Sequence, residues 1–363
     1  MSIDKKTIPW WRTNFSNEDI EKVSDSIRNE HISMGLVTEE FEQRIAEALG
    51  VPYVVTTTSG SMALLMALMS LDIKAGDEVI VPNRTWIATA HAPMMLGAKP
   101  VLVDVLPDRP IMNTSKIREK ITSRTKAIIP VQLNGRAVEM KAVWEVAKEH
   151  ALNVVEDSAQ GLFSKYDGKF MGTLSDAGCF SFSVAKLIPT GQGGFIATRR
   201  KDIYNKMRLM RTHGVDNVNA GTPFLTMGFN FRYTDIQASI GLVQLSKMKE
   251  RIENLKLVYD KYKNGLSDID FLKLISVNIE QGEIPLYIEV LIEDREKLVK
   301  YLTSHNIETR PFYPDLDSAV HLKCQGNFPN AHVFGKQGLV LPCGPDQPVE
   351  NIEHVLTVLK HYG

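Results

Sequence analysis

The sequence predicts an α/β protein, with a large domain on a mostly parallel sheet flanked by helices and a smaller C-terminal α+β domain. Three observations lead there. Short β-branched runs alternate with helical stretches through the first half of the chain, the signature of strand–helix–strand units. A long helical pattern over residues 235–265 then separates this half from a tail of different element order. The length, 363 residues, suits about two domains, placed at 1–245 and 246–363.

The elements follow in order. Ile20, Val23 and Ile27 fall at helical spacing behind Ser16 and Asp19, a capping-box pair. Phe41, Ile45 and Leu49 repeat that spacing behind Thr38, with Gly50 as the stop. Tyr53–Thr57, Val79–Val81, Val101–Val105, Ala127–Val131 and Asn153–Glu156 read as strands, with helical segments such as Met62–Leu71 and Val138–His150 between them. Ala177–Ser183 and Gly194–Thr198 have no full helix between them, so they are expected to pair antiparallel. Ile236, Ile240, Val243, Leu245, Met248, Ile252 and Leu255 form the bridging helix. Ile284–Leu291 is a strand of the second domain and Val349–Lys360 its last helix.

Composition narrows the function. A net charge of −1 with no long basic run argues against nucleic acid or anionic lipid as partners. No apolar segment follows Met1–Thr7, and no uncharged apolar run reaches the roughly 18–20 residues of a membrane span, so a cytoplasmic location is expected. Cys179, Cys324 and Cys343 form no CxxC pair and the nine histidines no HExxH, so neither a disulfide framework nor a metal site is expected. No G-x-G-x-x-G follows the first strand, which disfavours a dinucleotide oxidoreductase.

Open parallel sheets bind ligands beyond the carboxyl ends of their strands, and three junctions there carry polar chemistry. Thr57-Thr58-Ser59-Gly60-Ser61 opens a helix whose free N–H groups suit a phosphate, although an N-cap alone explains the same residues. Glu156-Asp157-Ser158-Ala159-Gln160 brings two acids to a strand end, where a carboxylate must be solvated, paired or functional. Lys186 is the only charged residue between Asp176 and Arg199. Its apolar and small neighbours favour a desolvated amine, which has a lowered pKa and is nucleophilic toward carbonyls. A phosphate cradle, a carboxylate and a buried lysine, with Trp86 as an aromatic cover, are the groups pyridoxal phosphate requires.

These residues, with Gly76-Asp77-Glu78-Val79-Ile80-Val81-Pro82, Phe180-Ser181-Phe182, Gly193-Gly194, Arg211-Thr212-His213-Gly214 and Gly228-Phe229-Asn230-Phe231-Arg232, resemble the DegT/DnrJ/StrS family of sugar aminotransferases from about Ile8 onward. The resemblance implies fold type I with a seven-stranded sheet, pyridoxal 5'-phosphate as cofactor, a homodimer with shared sites and a place in polysaccharide biosynthesis. It implies that Lys186 forms the internal aldimine, Asp157 pairs with the ring nitrogen, Gln160 bonds the phenolic oxygen and Trp86 stacks on the ring. Gly60, Ser61 and Ser181 match phosphate-binding positions, and Asn230 one that reaches the neighbouring subunit's cofactor. Lys186 also separates the chain from the related dehydratases, which carry histidine there.

Departures from the family pattern are Ser61 for Thr, Gln192 for Glu, Ser183 for an aromatic or His, Asn134 for Tyr or Phe, and Asp317 near an expected His. The last three suggest an altered substrate wall, to which Arg310 and Tyr313 in Thr309–Pro314 are also assigned. The expected reaction moves an amino group from L-glutamate to a keto group of a nucleotide-linked sugar. A small phosphorylated ketone is the alternative acceptor, and a non-catalytic cofactor-binding regulator the alternative class.

Overall fold

The first two helices, α1 (Asn17–Arg28) and α2 (Leu36–Leu49), pack on a later helix rather than on the sheet alone. The computed structural model describes residues 7–216, 221–324 and 326–362; residues 1–6 of the N-terminal stretch read above lie outside them. The capping box at Ser16 and Asp19 is present. Ile20 and Ile27, however, face outward at 60% and 56% exposure, because α1 turns Asp19 and Ser26 inward instead. Phe41, Ile45 and Leu49 are buried and Gly50 closes α2 in the left-handed conformation. Thr38 is not the cap of α2, which begins after Gly35; its amide and hydroxyl both donate to Asp235, as does the Gly35 amide.

The central sheet has seven strands in the order β1-β9-β8-β5-β4-β2-β3. They are β1 (Tyr53–Thr57), β2 (Glu78–Pro82), β3 (Lys99–Val103), β4 (Thr125–Ile128), β5 (Asn153–Asp157), β8 (Ala177–Ser181) and β9 (Gly194–Thr198). A two-strand hairpin, β6 (Lys165–Tyr166) with β7 (Lys169–Phe170), precedes β8. All sheet pairs are parallel except those of β9, which runs antiparallel to β8 and β1, as the missing crossover helix requires. Strand ends move by a few residues from the sequence reading, since hydrogen-bond pairing rather than β-branching decides where a ladder stops.

The crossover helices are α3 (Gly60–Ser70), α4 (Ala88–Met95) and α5 (Met140–Glu149), with α6 (Lys201–Arg211) after β9. Helix α3 is apolar all round and buried from Ala63 to Ser70, so its N-terminus is fixed against the sheet. The long helical pattern over 235–265 is in fact two helices, α7 (Asp235–Ser246) and α8 (Met248–Gly265), broken at Lys247. The Lys247 ammonium at this break contacts Ser16 and Asp19.

Beyond α8 the chain builds a four-stranded antiparallel sheet, β10-β11-β13-β12. Its strands are β10 (Lys273–Leu274), β11 (Ile288–Leu291), β12 (Arg310–Pro311) and β13 (Gly338–Leu341), with helices α9 (Arg295–Ser304), α10 (Pro329–Gln337) and α11 (Val349–Lys360). The strand expected over 284–291 pairs only from Ile288, because the Tyr287 amide and carbonyl bond to Asn134 instead of a neighbouring strand. The N-terminal segment crosses this sheet: Ile8 pairs with Ile307 and Trp11 with Cys343. Cys179, Cys324 and Cys343 are free thiols, and no helix among the described residues is long and apolar enough to cross a membrane.

Candidate active site

Strand ends from the central sheet meet β12 and the N-terminal segment around a cavity of about 320 Å³, within the range of small-molecule sites. Gly60, Ser61, Trp86, Asp157, Gln160, Ser181, Ser183, Lys186, Arg310 and Tyr313 all line it, so ten of the sequence-assigned residues converge. Asn230 does not line it; it is exposed and accepts from Arg232 Nε at 2.9 Å.

At one end, Ser59 caps α3 by accepting from the Met62 amide at 3.2 Å and leaves the first turn facing the cavity with Gly60 and Ser61. A Cβ at Gly60 would stand 2.9 Å from Ser181 Cβ, so glycine alone lets the helix end approach the tip of β8. The Ser61 and Ser181 hydroxyls flank that end, and first-turn amides have no intrahelical acceptors.

Asp157, the last residue of β5, is 5% exposed. Its Oδ2 accepts from Thr89 Oγ1 at 2.7 Å and its Oδ1 from the Ala159 amide at 3.2 Å. Burial raises the carboxyl's pKa, against the Thr89 and Ala159 bonds and the Lys186 charge. Strand alternation sends Glu156 the other way, where it is fully buried and held by Gln132, Ser175 and the amides of Gly172 and Leu174.

Lys186 follows β8 in a turn whose amide bonds the Ser183 carbonyl at 3.1 Å. The residue is half-buried, and desolvation of its ammonium pushes the pKa down to about 8, with Asp157 opposing and Arg310 adding to the shift. Gln160, which lines the cavity, accepts at Oε1 from the Asn134 amide at 2.8 Å, which leaves its NH₂ group free to donate. Trp86 stands edge-on to Tyr313 at 5.6 Å between centroids, and Arg310 lies over the Trp10 ring at 4.8 Å.

The donors left over identify the ligand chemistry. Among the described residues, Ser61 Oγ, Gln160 Nε2, Lys186 Nζ and the Arg310 guanidinium have no hydrogen-bond or ion-pair partner, although all line one cavity. A phosphate, a phenolic oxygen, an aldehyde and a ring nitrogen fit the helix end, Gln160, Lys186 and Asp157 respectively, so the residues present suit pyridoxal phosphate.

Two substrate-wall assignments are corrected. Asn134 is fully buried in the left-handed conformation (φ 55°), and its side chain bonds both the amide and the carbonyl of Tyr287, the carbonyl at 3.0 Å. It joins the central sheet's loops to β11 rather than facing substrate. Asn134→Leu is expected to leave both Tyr287 groups unsatisfied and cost about 2–6 kcal/mol, at about 1–3 per buried group; urea unfolding with parental stability would contradict this. Asp317 also lies off the cavity, accepting from Asn83 Nδ2 and facing His332 Nε2, both at 2.8 Å. Asp315, Asp317 and His332 cluster, yet Asp315 is already paired with Arg84 at 2.8 Å.

Sequence reasoning missed Thr89, Trp10 and the buried Arg84. Arg84 lies under Phe312 and Tyr313 and donates to the Tyr313 carbonyl, fixing that wall. Arg84 is the only Asp, Glu, Lys or Arg between Glu78 and Lys99, which was the available signal for it, whereas nothing local marks Thr89. Nothing local marks Trp10, which reaches the cavity from nearly three hundred residues away in sequence through the pairing of Ile8 with Ile307.

The DegT/DnrJ/EryC1/StrS aminotransferase family model matches residues 14–360. The chain is 34% identical over 365 residues to a GDP-perosamine synthase of Escherichia coli O157:H7, covering 98% of this chain and 99% of the relative. It is 32% identical over 336 residues to the dTDP-3-amino-3,6-dideoxy-alpha-D-galactopyranose transaminase of Aneurinibacillus thermoaerophilus, 91% of each chain. S. venezuelae DesV, solved in complex with a ketimine intermediate, superposes with a TM-score of 0.91 at 28% identity over 95% of this chain and 94% of that one. The architecture is that of the fold type I aminotransferases.

Proposed function

Because the chain belongs to the DegT/DnrJ/EryC1/StrS aminotransferase family, whose enzymes depend on pyridoxal phosphate, we propose that it transfers an amino group from L-glutamate to a keto group on a nucleotide-linked sugar. The observation that carries this reading is Lys186, an unpaired amine with a pKa near 8, sharing one cavity with the Asp157 carboxylate and the cradle of Gly60, Ser61 and Ser181. The names of the GDP- and dTDP-sugar relatives support the acceptor class.

Pyridoxal phosphate, when bound, supplies an aldehyde that condenses with amines and a protonated ring that draws off electron density. The helix end and the Ser61 and Ser181 hydroxyls would hold its phosphate, Trp86 would cover the ring, and Gln160 would donate to the phenolic oxygen. Asp157 would keep the ring nitrogen cationic. Lys186 Nζ would tether the aldehyde and, when free, would carry a proton to and from the substrate carbon, a role suited to an amine that is partly neutral near pH 8. Arg310, held over Trp10 without a carboxylate partner, takes an anionic group of the substrate, and Tyr313 and Ser183 complete the wall.

The working form is a cytoplasmic homodimer with shared sites. Asn230 stands on the surface away from its own cavity, beside the exposed Phe224, Leu225, Met227 and Phe229, a patch suited to burial against a second copy. From there Asn230 reaches the partner's phosphate.

The test is product mass spectrometry with ¹⁵N-labelled glutamate and a panel of keto-sugar nucleotides and keto-phosphates. Label in an amino sugar nucleotide is the expected result. Label only in a small phosphorylated amine would contradict the acceptor, and no transfer to any keto compound would contradict the activity.

A further inference from the structure

Thr89 sits in the first turn of α4 with its side chain fully buried and three oxygens around its hydroxyl. Asp157 Oδ2 is 2.7 Å away, Thr85 Oγ1 2.9 Å and the Trp86 carbonyl 3.1 Å. A hydroxyl has one proton to give, and the shorter, charge-assisted bond to the carboxylate takes it. Thr85, itself buried, can then donate to Thr89. A two-hydroxyl relay therefore ends on the carboxylate, in the same turn that carries Trp86.

We infer that Thr89 is a positioning residue for the reaction: its hydroxyl, supplied by Thr85, holds Asp157 Oδ2 so that the carboxylate stays charged and aimed into the cavity. The inference rests on the reading of Asp157 as partner of the cofactor's ring nitrogen. With one protein donor on each oxygen, from Thr89 and Ala159, the carboxylate keeps lone pairs free for that nitrogen. Burial works against its charge, and the Thr89 hydroxyl does the most to restore it. The titratable groups facing Asp157 are Lys186, the Cys179 thiol and the Tyr313 phenol, and only Lys186 favours the ionised form.

The sign of the effect follows. Removing the Thr89 hydroxyl makes the carboxylate easier to protonate, so the holoenzyme should release its cofactor at a higher pH on acidification. The experiment compares the parent with Thr89→Val, Thr89→Ser, Thr85→Val and Asp157→Asn. It measures cofactor retention against pH by absorbance of the protein fraction, together with kcat and KM for glutamate. Thr89→Val should raise the acid midpoint by about one pH unit, the scale of one hydrogen bond to a charged group. It should lower kcat about tenfold with KM within about twofold. Thr89→Ser should return both values to the parent's, and Thr85→Val should shift the midpoint in the same direction by less.

A parental midpoint in Thr89→Val, or a Thr89→Ser protein as impaired as Thr89→Val, would overturn the inference. Should Thr89→Val not fold, an unshifted midpoint in Thr85→Val overturns it equally. Asp157→Asn separates the two claims. If it too retains cofactor as the parent does, the reading of Asp157 fails and takes the inference with it; if it loses the acid response while Thr89→Val does not, the inference alone fails.

Discussion

Lys186→Met is expected to end turnover while leaving the fold intact. The loss should be about 10⁴-fold or more, because general acid–base catalysis alone contributes about 10²–10⁴ and the covalent tether goes with it. The same variant carries a second, opposite signature. The ammonium is held at a pKa of about 8 against an ordinary value of 10.5, so burial penalises the charged form. Between these values the unfolded chain binds more protons than the folded one, and stability therefore rises with pH. The penalty is fully present below pH 8 and gone above about 10.5. Cofactor-free Lys186→Met should accordingly melt higher than the cofactor-free parent at pH 7, with the difference shrinking as pH rises. A parent that is equally stable relative to the variant at pH 7 and pH 11 would contradict a desolvated amine at this position.

Asp157→Asn should have the next largest effect, on both cofactor affinity and rate. The carboxylate is buried and bonded on both oxygens, so asparagine conserves the shape while removing the charge. Deleting one member of a buried charge pair costs about 3–5 kcal/mol, or about 10²–10³ or more in affinity. The amide must also present an NH₂ group either to Thr89 or to the Ala159 amide, and the latter arrangement sets two donors against each other. Fluorescence titration with pyridoxal phosphate measures the first effect and single-turnover reaction with glutamate the second. Parental affinity together with a parental rate would remove Asp157 from the account.

Much of this site was legible because local chemistry and strand order carry it. An apolar strand ending in Glu156-Asp157, a glycine-and-serine turn before an apolar helix, and one lysine in an otherwise uncharged stretch each signal a strand-end group. An open parallel sheet then collects such groups on one side. Antiparallel β8 and β9 were legible for the same reason, since too few residues separate them for a crossover helix.

What the sequence did not disclose depends on distant partners. The family resemblance put Asn134 and Asp317 on the substrate wall, yet Tyr287 and Asn83 claim their side chains. Ile20 and Ile27 have the spacing of a buried face, but Ser26 bonds Ser239 and Asp19 bonds Gln244, which turns the opposite face of α1 inward. The break at Lys247, whose ammonium meets Asp19 two hundred residues earlier, left no mark in the periodicity. Periodicity reports that a face is apolar, not which neighbour will cover it.

The central claim is that one particular amine, Lys186, reacts with the cofactor's aldehyde. Borohydride reduction of the cofactor-loaded protein, followed by peptide mapping with mass spectrometry, tests it most directly. The account predicts a single stable adduct of the reduced cofactor on the peptide containing Lys186, absent from Lys186→Met. An adduct on another lysine, or a loaded protein that yields none, would contradict it.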